Sequence, residues 1–240
     1  MTESEWLTAT DSRVMLEHVR GTVSDRKLRL FASGSCRLTF SVNSTTSRTR
    51  LEKEKLGVQL AERIAEGEAP PSDQLTYHFE FHTIFHDYGS SLEWACHGAT
   101  SPDAWEAASE VVKKLDAEVW GSGQQNIGVQ VARDIFGNPF RPVTFSDSWR
   151  TETAVALATG IYAERAFDRL PILADALEEA GCDDADVLNH LRGPGPHARG
   201  CWVLDLILNR EPDLFDLPPL AESPRRMRLG PHTRPADGMA

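Results

Sequence analysis

The sequence predicts a mainly α-helical protein, arranged as a helical bundle or as an irregular multi-helix array. Apolar residues recur at helical spacing along most of the chain, and capping residues precede these segments while glycine follows them. The exception is residues 74–86, where β-forming aromatic residues alternate with polar ones. A short β element is therefore possible there, although helical spacing fits the same residues.

Four helical segments are predicted in residues 1–67. The first follows Thr2 and Glu5, which have the spacing of a capping box, and the second, "RVMLEHVRG", ends at a glycine. The third, "SDRKLRLFASGSCRLTF", has one apolar helical face, although Gly34 weakens the prediction. The fourth ends at Gly67 and carries three apolar residues at four-residue spacing: Leu56, Leu60 and Ile64.

Further helices are predicted in residues 68–209, which we expect to pack with residues 1–67 as one domain. They are "SPDAWEAASEVVKKLDAEVW", "QQNIGVQVARDIF", "DSWRTETAVALATGIYAER", "DRLPILADALEEAG", "DDADVLNHLRG" and "CWVLDLILN". Asp168 is a candidate cap of the fourth of these, and Asp183 or Asp184 is a candidate cap of the fifth. Residues 210–240 hold six of the 14 prolines and five arginines, which predicts a flexible, locally basic tail.

Composition excludes several function classes. The net charge of −11 argues against general nucleic-acid binding and against attraction to anionic membranes. No apolar run approaches the roughly 18 residues of a membrane helix, and the acidic start lacks the layout of a signal peptide. The four cysteines are widely spaced and form no CxxC pair, which indicates reduced thiols and predicts a cytoplasmic protein.

The stretch "LTYHFEFHTIFHD" is the first candidate metal site. His78, Glu80 and His82 lie on one side of a strand, whereas on a helix His78 and His82 are one turn apart. Imidazoles and carboxylates are zinc ligands when they converge at about 2 Å from the ion. The alternative is an amphipathic element whose aromatic residues fill the core while its histidines line the solvent edge.

A second group of metal-ligand types lies within twenty residues near the C-terminus. Cys182, His190, His197 and Cys201 supply two thiols and two imidazoles, and we take Cys182, His197 and Cys201 as candidate zinc ligands. Their spacing matches no zinc-finger pattern. Small cysteines buried at helix ends explain the two thiols equally well.

Two loops are candidate binding sites. In "DIFGNPFRP", Phe136, Phe140 and Arg141 are typical interface anchors for a protein partner, or else the phenylalanines pin the loop to the core. In "LRGPGPHARGCW", glycine amides with Arg192 and Arg199 could hold an anion. The loop is otherwise a rigid connector whose arginines bond helix C-terminal carbonyls.

Several long words of the sequence resemble an uncharacterised family of bacterial proteins. They are "TESEWL" and "SDRKLRLFA" near the start, then "RDIFGNPFRPV" and "RAFDRLPILADALEEAGCDDADVLNHLRGPGPHARGCWVLDLIL". Together they span 70 of the 240 residues. The resemblance implies a cytoplasmic, mostly helical protein and brings no established activity. Relatives tend to be cysteine-rich after "LRLFA", whereas here Ser33, Gly34 and Ser35 precede a lone Cys36.

These observations favour a non-enzymatic, cytoplasmic interaction or regulatory module with an unknown protein partner and no cofactor. No nucleophile elbow, EF-hand or P-loop pattern occurs in the sequence. The alternative is a zinc-type metal-binding protein, in which a structural ion is favoured over a catalytic hydrolase centre.

Overall fold

A computed structural model describes residues 1–42, 48–70, 72–73, 76–77, 91–119 and 127–210. The described residues form α-helices and short 3-10 helices, with no strand among them, and this confirms the predicted mainly α fold. Most of the predicted β element at 74–86 lies outside the described residues, but Thr76 and Tyr77 are helical rather than extended. Within this described part, no helix has both the length and the hydropathy that crossing a bilayer requires.

Eleven α-helices account for most of the described residues. They are α1 (Glu3–Thr8), α2 (Ser12–His18), α3 (Asp25–Val42), α4 (Arg48–Ala65), α5 (Ser91–Gly98), α6 (Ala104–Val119), α7 (Ile127–Phe136), α8 (Glu152–Glu164), α9 (Leu170–Glu179), α10 (Ala185–Arg192) and α11 (Trp202–Leu208). Two 3-10 helices, Asp147–Trp149 and Phe167–Arg169, precede α8 and α9.

Side-chain caps set the start of several helices. Thr2 and Glu5 form the predicted capping box, and the Asp184 carboxylate accepts hydrogen bonds from the first turn of α10. The predicted cap Asp168 is wrong, because it lies in a 3-10 turn and α9 begins after Arg169 without a side-chain cap. The predicted segment "DSWRTETAVALATGIYAER" is also divided, because Thr151 caps a helix that begins at Glu152.

Three hydrophobic clusters form the core. The N-terminal cluster joins α1, α2, α3, α6 and α7, and a second cluster joins α3 with α4, α5 and α6. The C-terminal cluster joins α8, α9, α10 and α11. Helix α7 packs along α3 and also contacts α11, so it lies where the N-terminal and C-terminal clusters meet.

Helix α4 does not bury its four-residue apolar stripe. Val58 and Ala61 are fully buried, whereas Leu56 is 58% exposed. The stripe is displaced because Glu62, on the buried face, is held by ion pairs with Arg37 and Arg165. A carboxylate satisfied in this way occupies a position that periodicity alone assigns to an apolar residue.

Candidate metal centre

The candidate metal centre begins with a buried carboxylate on α7, that of Asp134. Nearly all of this helix is buried, and Asp134 lies on the same face as Val131 and Ile135 with only 2% of its surface exposed. Removing a carboxylate from water is costly unless it has hydrogen-bond or charged partners. Asp134 therefore needs partners from outside its own helix.

Those partners come from the Gly-Pro loop between α10 and α11. His197 Nδ1 lies 2.7 Å from Asp134 Oδ1, and the backbone N–H of Ala198 donates to Asp134 Oδ2 at 2.8 Å. Gly200 has φ of +85°, and a Cβ there would lie 2.8 Å from Leu30 Cδ1. Only glycine allows the loop to pack this closely on α3 and to present His197 to Asp134.

His190 and Cys201 complete the group from the two helices that flank the loop. His190 lies in the last turn of α10, and its Nε2 is 3.2 Å from Asp134 Oδ1 and 3.1 Å from Cys201 Sγ. Cys201 is the residue that precedes α11, and it is fully buried. The rings of His190 and His197 meet edge to face, with centroids 5.1 Å apart.

Four potential ligand atoms therefore converge. One atom each from Asp134, His190, His197 and Cys201 lies within 4.8 Å of the other three, and this is the one such group among the described residues. Tetrahedral zinc at about 2.0–2.3 Å from its ligands holds them roughly 3.3–3.6 Å apart. The contacts of 2.7–3.2 Å are slightly shorter. The atoms of these three pairs would have to separate by a few tenths of an ångström around an ion.

Burial and the neighbouring charges set the protonation states. Burial raises the pKa of Asp134, but hydrogen bonds and charge from His190 and His197 outweigh it, so this pKa is lowered overall. Burial lowers the pKa of His197, but the hydrogen bond to Asp134 and its charge raise it above the usual value. In addition, His197 Nε2 is buried without a hydrogen-bond partner.

Cys201 is a neutral thiol in this environment. Burial first, and the charge of Asp134 second, raise the pKa of Cys201 well above the usual value, although backbone amides at the start of α11 oppose this. A Cys–His nucleophile is also disfavoured by geometry, because the same Nε2 of His190 faces both the thiol and Asp134. In a catalytic triad, the two ring nitrogens serve the two partners separately.

The structure brings together some of the predicted ligands and separates others. His197 and Cys201 lie in the centre together with His190. Cys182 is buried beyond the end of α9, where its amide donates to the Leu177 carbonyl oxygen, and it is not part of the group. The candidate ligands His78, Glu80 and His82 lie outside the described residues.

The "DIFGNPFRP" loop does not present its phenylalanines as a surface patch. Phe136 is 4% exposed and packs on Phe31 with ring centroids 5.4 Å apart. Phe140 is half-buried and stacks on His18 at 5.0 Å, and Arg141 pairs with Glu3 at 2.5 Å. The alternative, a loop pinned down by its phenylalanines, describes this geometry.

The two arginines of the Gly-Pro loop point to different neighbours. Arg192 pairs with Asp175 and Glu178 of α9 at 2.8 and 2.6 Å, so it is not available to an anion at the loop. Arg199 donates to the carbonyl oxygen of Ala163 near the end of α8. The amide of Gly193 is also used, because it donates to the His190 carbonyl oxygen. These contacts disfavour an anion held jointly by Arg192, Arg199 and the Gly193 amide, and the anion site stays a prediction.

Asp134 is the candidate ligand that the sequence alone did not indicate. It lies 56 residues before His190, so no local spacing connects the two. The informative feature was its register: Asp134 follows Val131 by three residues and therefore falls on the apolar stripe of α7. A carboxylate on such a stripe indicates a buried partner.

No family model, curated protein or solved structure matches the chain. The resemblance to a bacterial family therefore stays a prediction, and the function has to be argued from the centre itself.

Proposed function

We propose that this protein binds one zinc-type metal ion through Asp134, His190, His197 and Cys201. The observation that carries the proposal is the convergence of four ligand atoms from α7, α10, the Gly-Pro loop and the start of α11 within 4.8 Å of one another. Scattered histidines and cysteines are common, but sequence-distant ligand types that meet in a buried volume are characteristic of metal sites.

The ligand set favours zinc over the hard cations. Two imidazoles and one thiol are borderline-to-soft ligands, whereas calcium and magnesium select oxygen donors. Binding would displace the thiol proton of Cys201. The ion would then bind one ring nitrogen of His190 and one of His197. His197 Nε2 has no hydrogen-bond partner among the described residues, so this nitrogen could bind an ion without breaking a hydrogen bond.

The proposed role of the ion is structural and non-enzymatic. Four protein ligands fill a tetrahedral shell and leave no open position for water or substrate. The ligands come from helices of the N-terminal and C-terminal clusters, so an ion would cross-link the two where α7 meets α11. A closed site of this kind contributes directly to folding stability.

Metal analysis of the untagged protein tests the proposal with a matched pair of cysteine variants. Cys201→Ser removes a ligand, while Cys182→Ser removes an equally buried thiol of the same cluster that lies outside the centre. We expect about one zinc per chain in the wild type and in Cys182→Ser, and a large loss in Cys201→Ser and His190→Ala. Cobalt-loaded wild type should show a thiolate-to-cobalt charge-transfer band that Cys201→Ser lacks.

Two results would contradict the proposal. The first is a wild-type protein that carries no metal after growth in zinc and whose melting temperature does not rise when zinc is added. The second is an equal loss of metal in Cys182→Ser and Cys201→Ser, since this would report unfolding of the cluster and not the removal of a ligand.

A further inference from the structure

A group of arginines surrounds Tyr162 and α4. We call Arg37, Arg165, Arg199 and Arg210 the arginine surface. Arg37 is on α3, Arg165 ends α8, Arg199 is in the Gly-Pro loop and Arg210 follows α11. Four separate parts of the chain therefore contribute a guanidinium to one place.

Two of these guanidinium groups share one buried carboxylate. Arg37 forms a bidentate pair with Glu62, with Nε–Oε1 and Nη2–Oε2 distances of 2.9 Å each. Arg165 pairs with the same Oε2 of Glu62. The side chains of Arg37 and Arg165 are 29% and 32% exposed, and Arg165 Nε is buried without a hydrogen-bond partner among the residues that the structure describes. The single negative charge of Glu62 thus pairs with two adjacent positive charges.

The other two arginines lie over the ring of Tyr162. The guanidinium carbons of Arg210 and Arg199 are 4.2 and 5.6 Å from its centroid. The Tyr162 hydroxyl accepts a hydrogen bond from Arg26 at 2.7 Å, and Arg26 and Arg210 both pair with Glu66. Arg199 has no ion pair within 4.0 Å in the described parts of the chain.

Positive charge is in excess at this place. The arginine surface with Arg26 and Lys27 behind it holds six cations, while the carboxylates that pair with them are Glu62, Glu66 and Asp205. Among the described residues, these cations therefore outnumber the carboxylates that they contact, in a chain whose net charge is −11. Burial first, and then the neighbouring charges of Arg37 and Arg199, lower the pKa of Arg165 although Glu62 opposes this. Such crowding of like charges is unfavourable unless an anion relieves it.

We propose that the arginine surface binds a phosphate-type oxyanion with two or more negative charges, carried by a small phosphorylated compound. The planar guanidinium fork matches two oxygens of a phosphate group, and charge-assisted hydrogen bonds of this type are about twice as strong as neutral ones. The attraction comes from the charge of Arg199 and from the partly exposed side chains of Arg37 and Arg165, which share a single carboxylate. The surface lies on residues that are not ligands of the candidate metal centre.

Titration of the full chain with pyrophosphate and with inorganic phosphate, at constant ionic strength, tests this inference. Arg37→Gln and Arg199→Gln each remove one charge of the arginine surface. Arg192→Gln is the matched control, because it removes the same charge from an arginine that is 39% exposed and pairs with α9 instead. We expect saturable binding of pyrophosphate that weakens about tenfold or more in Arg37→Gln and Arg199→Gln and less than about twofold in Arg192→Gln.

The outcomes separate this inference from the metal proposal. Arg37 is on α3, remote in sequence from all four candidate ligands, so Arg37→Gln should keep the metal content of the wild type while it loses pyrophosphate affinity. The inference is overturned if the folded wild type does not bind either anion, or if Arg192→Gln weakens binding as much as Arg37→Gln does. Circular dichroism of each variant establishes that it is folded before titration.

Discussion

Lys27 is the most buried cation of the described chain and links α3 to the segment that carries Cys201. Its Nζ lies 2.6 Å from Asp205 Oδ2 and donates to the carbonyl oxygens of Gly200 at 2.7 Å and Ile135 at 3.0 Å. Three acceptors thus satisfy all three N–H groups of the ammonium. Because Gly200 immediately precedes Cys201 and Ile135 follows Asp134, Lys27 also positions two of the candidate ligands.

Removing Lys27 should be far more costly than removing an exposed lysine. In Lys27→Ala, two buried carbonyls lose their donor and Asp205 keeps only Arg26, so we expect a loss of about 3–5 kcal/mol in the free energy of unfolding. Lys113→Ala removes an exposed pair with Glu110 and should cost less than about 1 kcal/mol. Urea unfolding of both variants measures the difference. Similar losses would show that the Lys27 contacts contribute little.

The sequence could indicate which nearby residues have the chemistry of metal ligands. It could not indicate which of them meet in the folded protein. His197 and Cys201 were identified because thiols and imidazoles cluster within one loop. Cys182 has the same residue type and is buried in the same C-terminal cluster as Cys201, but it follows Gly181 at the end of α9 and is not part of the group around Asp134. Which side chains converge depends on how the loop packs against α7, and this is a tertiary property.

At the scale of elements, helix starts could be predicted where a side-chain cap decides them. Thr2 and Asp184 accept hydrogen bonds from their own first turns, so the relevant interactions are local in sequence. The buried face of α4 could not be predicted, because it depends on arginines of α3 and of the end of α8 that reach Glu62. Long-range ion pairs of this kind leave no periodic pattern.

Two glycines inside helices should respond in opposite ways to a methyl group. At Gly34 of α3, a Cβ would lie 3.0 Å from Ala198 Cβ and 3.3 Å from Val131 Cγ1, whereas at Gly160 of α8 it would meet no atom within 4 Å. We expect Gly160→Ala to stabilise the protein by about 0.5–1 kcal/mol through helix propensity. We expect Gly34→Ala to destabilise it by about 1 kcal/mol or more, because Ala198 is held by its backbone.

Thermal or urea unfolding of Gly34→Ala and Gly160→Ala measures the two changes in stability. The short contacts predicted at Gly34 explain why a glycine stands in this helix although helix propensity disfavours it: it allows α3 to approach the loop that holds His197. If Gly34→Ala gains as much stability as Gly160→Ala, then the contact between α3 and the loop is loose enough to yield.

At the scale of the whole molecule, the candidate metal centre lies where the N-terminal and C-terminal clusters join. Asp134 belongs to a helix of the first cluster, and His190 and Cys201 flank helices of the second. Asp205 adds a second connection through Lys27 and Arg26. The free energy of unfolding therefore depends on the protonation of the centre. Without metal, the contribution of His197 should fall as the pH rises, whereas with a bound ion it should increase with pH.

This reversal gives a prediction for the pH dependence of stability. Without metal, His197 has a raised pKa, so its interaction with Asp134 is fully present below about pH 6.5 and is lost as the pH rises through the higher folded-state value. The lowered pKa of Asp134 removes the same interaction in acid, as the pH falls below about 4. With zinc bound, His197 and Cys201 must be deprotonated, so stability due to the centre should increase with pH.

The difference in the free energy of unfolding between wild type and His197→Gln isolates this contribution from the other titrating groups. Measured by urea unfolding at about pH 6 and about pH 8.5, the difference should shrink with pH in the presence of EDTA and grow with pH in the presence of excess zinc. His18→Gln, a histidine outside the centre, should show no such dependence on zinc. A difference that changes with pH in the same direction under both conditions would mean that the ion does not take over the proton sites, and Asp134 with His197 would then be a buried ion pair alone.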